Sequence, residues 1–146
     1  MFPETQSAGR LPSEDGLEPQ EHVSRTVDGL VVWFDGSCPL CRREITLMRR
    51  LDRRGAIEFI DIATMPTAQC PVDRAELLSR FHARENGRLV SGAEAFAAMW
   101  RAIPILRPLG LAARVPIVFA VLERCYTAFL RVRPRLQRLM RAAERA

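Results

Sequence analysis

The sequence contains no lysine. All 22 basic residues are arginine, a bias that reflects base composition more than chemistry. It has no uninterrupted apolar run of the roughly 20 residues that span a bilayer, so no transmembrane helix is expected. The opening stretch MFPETQSAGRLPSEDGLEPQEH lacks an apolar h-region, so no signal peptide is expected either. Internal repeats are absent. Histidine is scarce, and His22 and His82 form no pair. Cys70 and Cys125 stand alone, which leaves out the second close-spaced ligand pair of a structural zinc site. Together these absences predict a cytoplasmic, bacterial-type protein. Its cysteines are expected to be reduced thiols, metal ligands or redox groups, and not a structural disulfide framework.

The 146 residues, 48% of them hydrophobic, suffice for one domain with a real core. The net charge of +5 is unevenly spread. Residues 1–29 carry six acids against two arginines, whereas 131–146 carry six arginines against Glu144 alone. Basic character is therefore a property of the tail and gives no argument for nucleic-acid binding. The predicted organisation is a disordered acidic leader over 1–28, a core over 29–104, a helical extension over 105–134 and an Arg-rich tail over 135–146.

GLVVWF at 29–34 is a β-branched and aromatic run bounded by Gly29 and Asp35-Gly36, the pattern of a buried strand. Over 38–54 the spacing turns helical. Leu40, Cys41, Ile45, Leu47, Met48 and Leu51 share one side of the wheel, and six arginines occupy the other. Gly55 is expected to end this helix, and AIEFIDI at 56–62 alternates as a second strand. Strand, helix and strand within about 30 residues form a βαβ unit with parallel strands. A short helix is expected at 73–79. A hairpin then turns at Asn86-Gly87. Ser91 and Glu94 read as a capping box opening a helix over 92–103, and a connector leads to a last helix over 116–132. This is the element order of a thioredoxin-like α/β core with a helical C-terminal extension.

The chemistry lies in DGSCPLC. Cys38 falls in the strand-to-helix loop at the carboxyl edge of the parallel strands, with Cys41 one turn later. With Cys38 as N-cap, Pro39 takes the first helical position, where its missing N–H costs nothing. The Cys38 sulfur then faces the free N–H groups of Leu40 and Cys41, at the positive end of the helix dipole. That environment favours thiolate over thiol. Cys41, on the inward edge of the wheel, is expected to be the shielded thiol that resolves a mixed disulfide.

DGSCPLCRRE, with NGRLVSGAEAFAAMWRAIP downstream, resembles the DCC family of thiol-disulfide oxidoreductases, named for Asp-x-x-Cys-x-x-Cys. The similarity runs from about residue 29 to 134, and the motif falls on Asp35, Cys38 and Cys41. It implies a thioredoxin-like fold and a dithiol/disulfide activity. The expected partners are a protein or small-molecule disulfide or thiol and a separate reductant, with no cofactor beyond the Cys38–Cys41 pair and no nucleic acid. One departure concerns the cis-Pro that ordinary thioredoxins place directly before the third strand. Here Ser79-Arg80 precede Phe81, and the nearest proline is Pro71.

Other readings compete. A non-catalytic binding protein would use the CxxC to hold zinc or cap a helix. A phosphatase of the haloacid dehalogenase type would place its nucleophile at Asp35, but it needs a second Asp two residues on, where Ser37 stands. Asp35 itself has two candidate roles, carrying a proton for Cys41 or forming an Asx-type turn. Asp61, near the carboxyl end of the neighbouring strand, reads first as a surface acid, with a place at the same edge as its alternative. Cys70, in the loop leaving that strand, is a candidate third thiol. Cys125 reads as a core thiol. Glu44 is a carboxylate in the apolar sector of the first helix with no assigned role. The last helix is apolar over most of its wheel. Burial against the sheet explains that, as does a peripheral membrane or partner contact through 116–146.

Overall fold

A computed structural model describes residues 29–146, so the leader expected over 1–28 lies outside the described residues. Four strands, β1 (Leu30–Phe34), β2 (Ile57–Asp61), β3 (His82–Glu85) and β4 (Arg88–Ser91), form one sheet in the order β2-β1-β3-β4. β1 runs parallel to β2, with Phe34 opposite Asp61, and antiparallel to β3, with Trp33 opposite His82. An interior strand covered on both faces needs apolar residues at every position, and all five side chains of β1 are buried.

The sheet separates two apolar layers. Leu30, Val32 and Phe34 pack with Ile45 and Met48 of α1 (Pro39–Leu51) and with Ala98 and Met99 of α3 (Ala93–Ala102). Val31 and Trp33 point the other way, onto Ile62, Met65 and Leu77 of α2 (Arg74–Ser79). Each large side chain buried in this way contributes about 1.5–3 kcal/mol. The hairpin turns where expected, because Asn86 (φ +50°) and Gly87 (φ +78°) both occupy the left-handed region that a two-residue turn requires. The whole is a thioredoxin-like core with C-terminal helices added.

Four local expectations are corrected. First, α1 stops at Leu51 and does not continue to 54. The Asp52 carboxylate accepts the N–H groups of Ala56 and Ile57, both at 3.0 Å, and turns the chain into β2. Second, the Ser91–Glu94 capping box does not form. Ser91 ends β4, Glu94 pairs with Arg88, and the Ala93 N–H is donated to Glu123 on the last helix at 3.1 Å. Third, the connector contains α4 (Arg107–Ala112), whose Pro108 sits in the first turn where proline is tolerated.

The fourth correction bears on function. The last helix, α5 (Pro116–Arg145), is 30 residues long and runs through Pro134 into the Arg-rich tail. Pro134 removes one backbone donor, but polar side chains beyond it find partners on α1. Only Tyr126 of α5 is buried. Ile117 is 73% exposed and Leu139 67%, so α5 lies across the surface and is not sunk into the core. Cys125 is exposed as well, contrary to its reading as a core thiol. No helix among the described residues is long and apolar enough to cross a membrane.

Candidate active site

The loop between β1 and α1 is shaped by two carboxylates. Asp35 accepts the Ser37 N–H at 3.0 Å and the Ser37 hydroxyl at 2.6 Å, the Asx-type turn that was one of its two readings. Asp61 reaches over from the end of β2. It accepts the N–H of Gly36 at 2.9 Å and that of Ala63 at 2.8 Å. A Cβ at position 36 would collide with the Asp61 carboxylate, so this close approach requires glycine. Asp35 and Asp61 thus lie at one sheet edge, and both hold the loop that presents the thiols.

Cys38 is the N-cap of α1 and Pro39 its first residue, as the spacing predicts. The Cys38 sulfur accepts the Cys41 N–H at 3.3 Å. The order of shielding, however, is reversed. Cys38 is 0% exposed, whereas Cys41 is only half-buried. The cover over Cys38 is α5. Gln137 Nε2 donates to the Cys38 sulfur at 3.0 Å, and Arg133 Nη2 lies 3.5 Å from the Cys41 sulfur. Arg133 also reaches the Leu78 carbonyl, and Glu144 pairs with Arg42 on α1.

These contacts separate the two thiols chemically. Burial alone would push Cys38 up. Hydrogen bonds from the Cys41 thiol and N–H and from the Gln137 amide, with the Arg133 charge, outweigh it and hold Cys38 below the usual thiol range. Cys41 is pushed up to about 12, first by burial and then by its hydrogen bond and proximity to Cys38, with Arg133 opposing. Cys38 is thereby biased toward thiolate and Cys41 toward thiol.

Beside Cys41 is a cavity of about 40 Å³. Its walls are largely aromatic and aliphatic, and Asp35, Cys41, Glu44, Arg80, Tyr126 and Arg133 also line it. Burial pushes Glu44 up to about 7 against the attraction of Arg133. Tyr126 fixes α5 above this cavity by accepting the Phe81 N–H at 2.7 Å. A proline at position 81 could not supply that donor, and position 81 opens onto the third strand.

Sequence reasoning missed Arg133 and Gln137, because it ended the helix before them. Tyr126, Leu130, Arg133 and Gln137 recur every three or four residues. That spacing places them on one helix face, a signal readable once the helix is continued through Pro134. Cys70 does not join the site. It packs with Val72 against Val31 and Trp33 on the other face of the sheet, its sulfur 4.0 Å from the Pro66 carbonyl. Among the described residues, no three His, Cys, Asp or Glu side chains gather as metal ligands.

Comparison with known proteins agrees with this geometry. The family model described as DCC1-like thiol-disulfide oxidoreductase matches residues 32–139, a span that takes in the CxxC loop, most of the sheet and most of α5. An uncharacterised chloroplastic protein of Arabidopsis thaliana is 35% identical over 75 residues. The match covers 48% of this chain and 35% of that protein, so the chain spans about a third of the length of the relative it matches. No solved structure matches the chain.

Proposed function

The chain belongs to the DCC1-like thiol-disulfide oxidoreductase family, and from that premise we propose that it exchanges a Cys38/Cys41 dithiol with disulfide substrates. One observation carries the reading. Hydrogen bonds at the α1 N-terminus and from Gln137, with the Arg133 charge, hold Cys38 low, while burial and the neighbouring Cys38 push Cys41 up to about 12, the asymmetry that an attacking and a resolving thiol require.

In the forward cycle, the Cys38 thiolate attacks one sulfur of a substrate disulfide. The substrate S–S bond breaks, a mixed disulfide forms at Cys38, and the first substrate thiolate leaves and takes up a proton. Cys41 then loses its proton and attacks the Cys38 sulfur. The second substrate thiolate departs, leaving a Cys38–Cys41 bond. Two electrons have passed to the substrate, and a separate dithiol reductant restores the pair. Run in reverse, the Cys38–Cys41 disulfide oxidises a substrate dithiol. Because Cys38 has no exposed surface, attack requires the part of α5 that carries Gln137 to lift.

The Cys41→Ser variant tests the cycle. It is expected to stall as a mixed disulfide on Cys38 that a Cys38→Ser variant never forms, read by mass shift on non-reducing gels. Titration of the wild type in glutathione buffers is expected to yield one intramolecular two-electron couple. If Cys41→Ser gives no mixed disulfide and the wild type no intramolecular bond, the exchange reading is wrong.

A further inference from the structure

The exchange cycle leaves one step without an agent. Cys41 must give up a proton before it can attack, yet in the reduced pair its thiol is pushed up to about 12. At neutral pH a thiol held that high is ionised in roughly one molecule in 10⁵. Once Cys38 is tied in a mixed disulfide its charge no longer acts on Cys41, but the burial remains. The proton needs an acceptor within the site.

Every titratable or charged group facing the cavity can be considered in turn. From the β1–α1 loop comes Asp35, whose Oδ1 accepts the Ser37 N–H and hydroxyl in an exposed turn and which shares no helix face with Cys41. Arg80, just before β3, and Arg133, on α5, are cations and cannot accept a proton. Tyr126, also on α5, is pushed further up by burial, so it stays a neutral phenol. On α1 itself the group beside Cys41 is Glu44. It follows Cys41 by three residues, a spacing that sets the two side chains on one helix face with Cβ atoms about 5–6 Å apart. Both line the same cavity. At about 40 Å³ that space exceeds the roughly 10–15 Å³ needed by one water molecule, and polar atoms on its wall can hold the water between thiol and carboxylate.

We propose that Glu44 accepts the Cys41 proton during the resolving step, through a water in the cavity both side chains line. The assignment rests on the exchange reading above. In the step, the proton passes from the Cys41 sulfur through the water to a Glu44 carboxylate oxygen. The Cys41 thiolate forms a bond to the Cys38 sulfur, the bond from Cys38 to the substrate sulfur breaks, and the electron pair leaves on that sulfur. Glu44 then returns the proton to the departing thiolate or to solvent. The acceptor suits the task, because a carboxyl near 7 both takes and releases a proton at neutral pH. Arg133 attracts the charged forms of Glu44 and Cys41 alike, opposing the burial that raises both.

The test is a stopped-flow single turnover of the full chain with an aromatic disulfide whose released thiolate absorbs visible light. Attack by Cys38 releases the first equivalent and resolution by Cys41 the second. Glu44→Gln is expected to leave the first release within about twofold and to slow the second roughly 100-fold or more. It should also abolish the rise of the second rate through about pH 7 that the wild type shows. Glu44→Asp keeps a carboxyl and is expected to retain a pH-dependent second release. A Glu44→Gln second release with wild-type rate and pH profile overturns the proposal. So does equal loss in the Asp and Gln variants, which would assign Glu44 to packing alone. A wild type that gives the first release and never the second overturns the exchange reading itself, a result separable from either of these.

Discussion

Gln137 places its amide 3.0 Å from the sulfur of a cysteine with no exposed surface. An alkylating reagent therefore reaches Cys38 only in molecules whose distal α5 has lifted, and in those the amide no longer touches the sulfur. A hydrogen bond to a charged partner contributes about 1.5–3 kcal/mol. This one is made to the closed thiolate and lost on opening, so Gln137→Ala is expected to ease opening of the thiolate form by roughly 10- to 150-fold. For the protonated thiol the bond is weak, and opening changes little. The consequence is a particular pair of pH profiles. At the acid end, wild type and variant react with iodoacetamide at the same rate. The wild type levels off first, because its closed thiolate is the more stabilised. The variant keeps rising, to a plateau higher by that same factor. Peptide mass spectrometry of Cys38 alkylation reads both curves without interference from the other thiols. Profiles that level off at the same pH and the same rate would refute the reasoning, since Gln137 would then hold neither the thiolate nor the cover.

Two further outcomes concern stability. The folded protein raises Glu44 from 4.5 to about 7, so it binds that proton more tightly than the unfolded chain does. Its favourable effect is complete below about pH 4.5 and is lost as pH rises through 7. Glu44→Gln lacks this titration, so its stability relative to wild type should climb by about 3 kcal/mol across that window and then stay flat; urea melts of the reduced proteins at several pH values check this, and a constant difference would contradict it. Asp61→Ala removes the acceptor shared by Gly36 and Ala63 and is expected to cost about 2 kcal/mol. Thermal melts measure the loss, and a variant as stable as wild type would show that the loop holds its shape without the clamp.

The parts legible from sequence are those whose causes are local. β1 is a continuous apolar run between Gly29 and Asp35. The hairpin turn needs two left-handed residues and has Asn86 and Gly87 to supply them. The cap of α1 follows from Cys38 and Pro39 standing side by side. Asp35 belongs here too, since its turn closes on Ser37, two residues on. Contacts made by distant segments left no such trace. The start of α3 borrows its acceptor from Glu123, 30 residues further along, whereas the nearby Ser91 and Glu94 offered a plausible local cap. Glu44 was visible only as a carboxylate on an apolar face. Its reason is a cavity walled by β1, the residues before β3, α3 and α5, which no single window of sequence contains. Arg133 and Gln137 were hidden because the last helix was expected to end at 132, whereas it passes through Pro134 and on to Arg145.

The separation of 99 positions between Cys38 and Gln137 also has a meaning in time. A ribosome adds about 5–20 residues per second, so roughly 5–20 s separate the synthesis of the thiol from that of the amide that covers it. β1 is already made when that interval opens, and α1 and β2 follow early in it, before any of α5. A growing chain that folds them shows a bare sulfur to every oxidant and thiol around it. The least accessible cysteine of the finished molecule is, for those seconds, one of its most reachable.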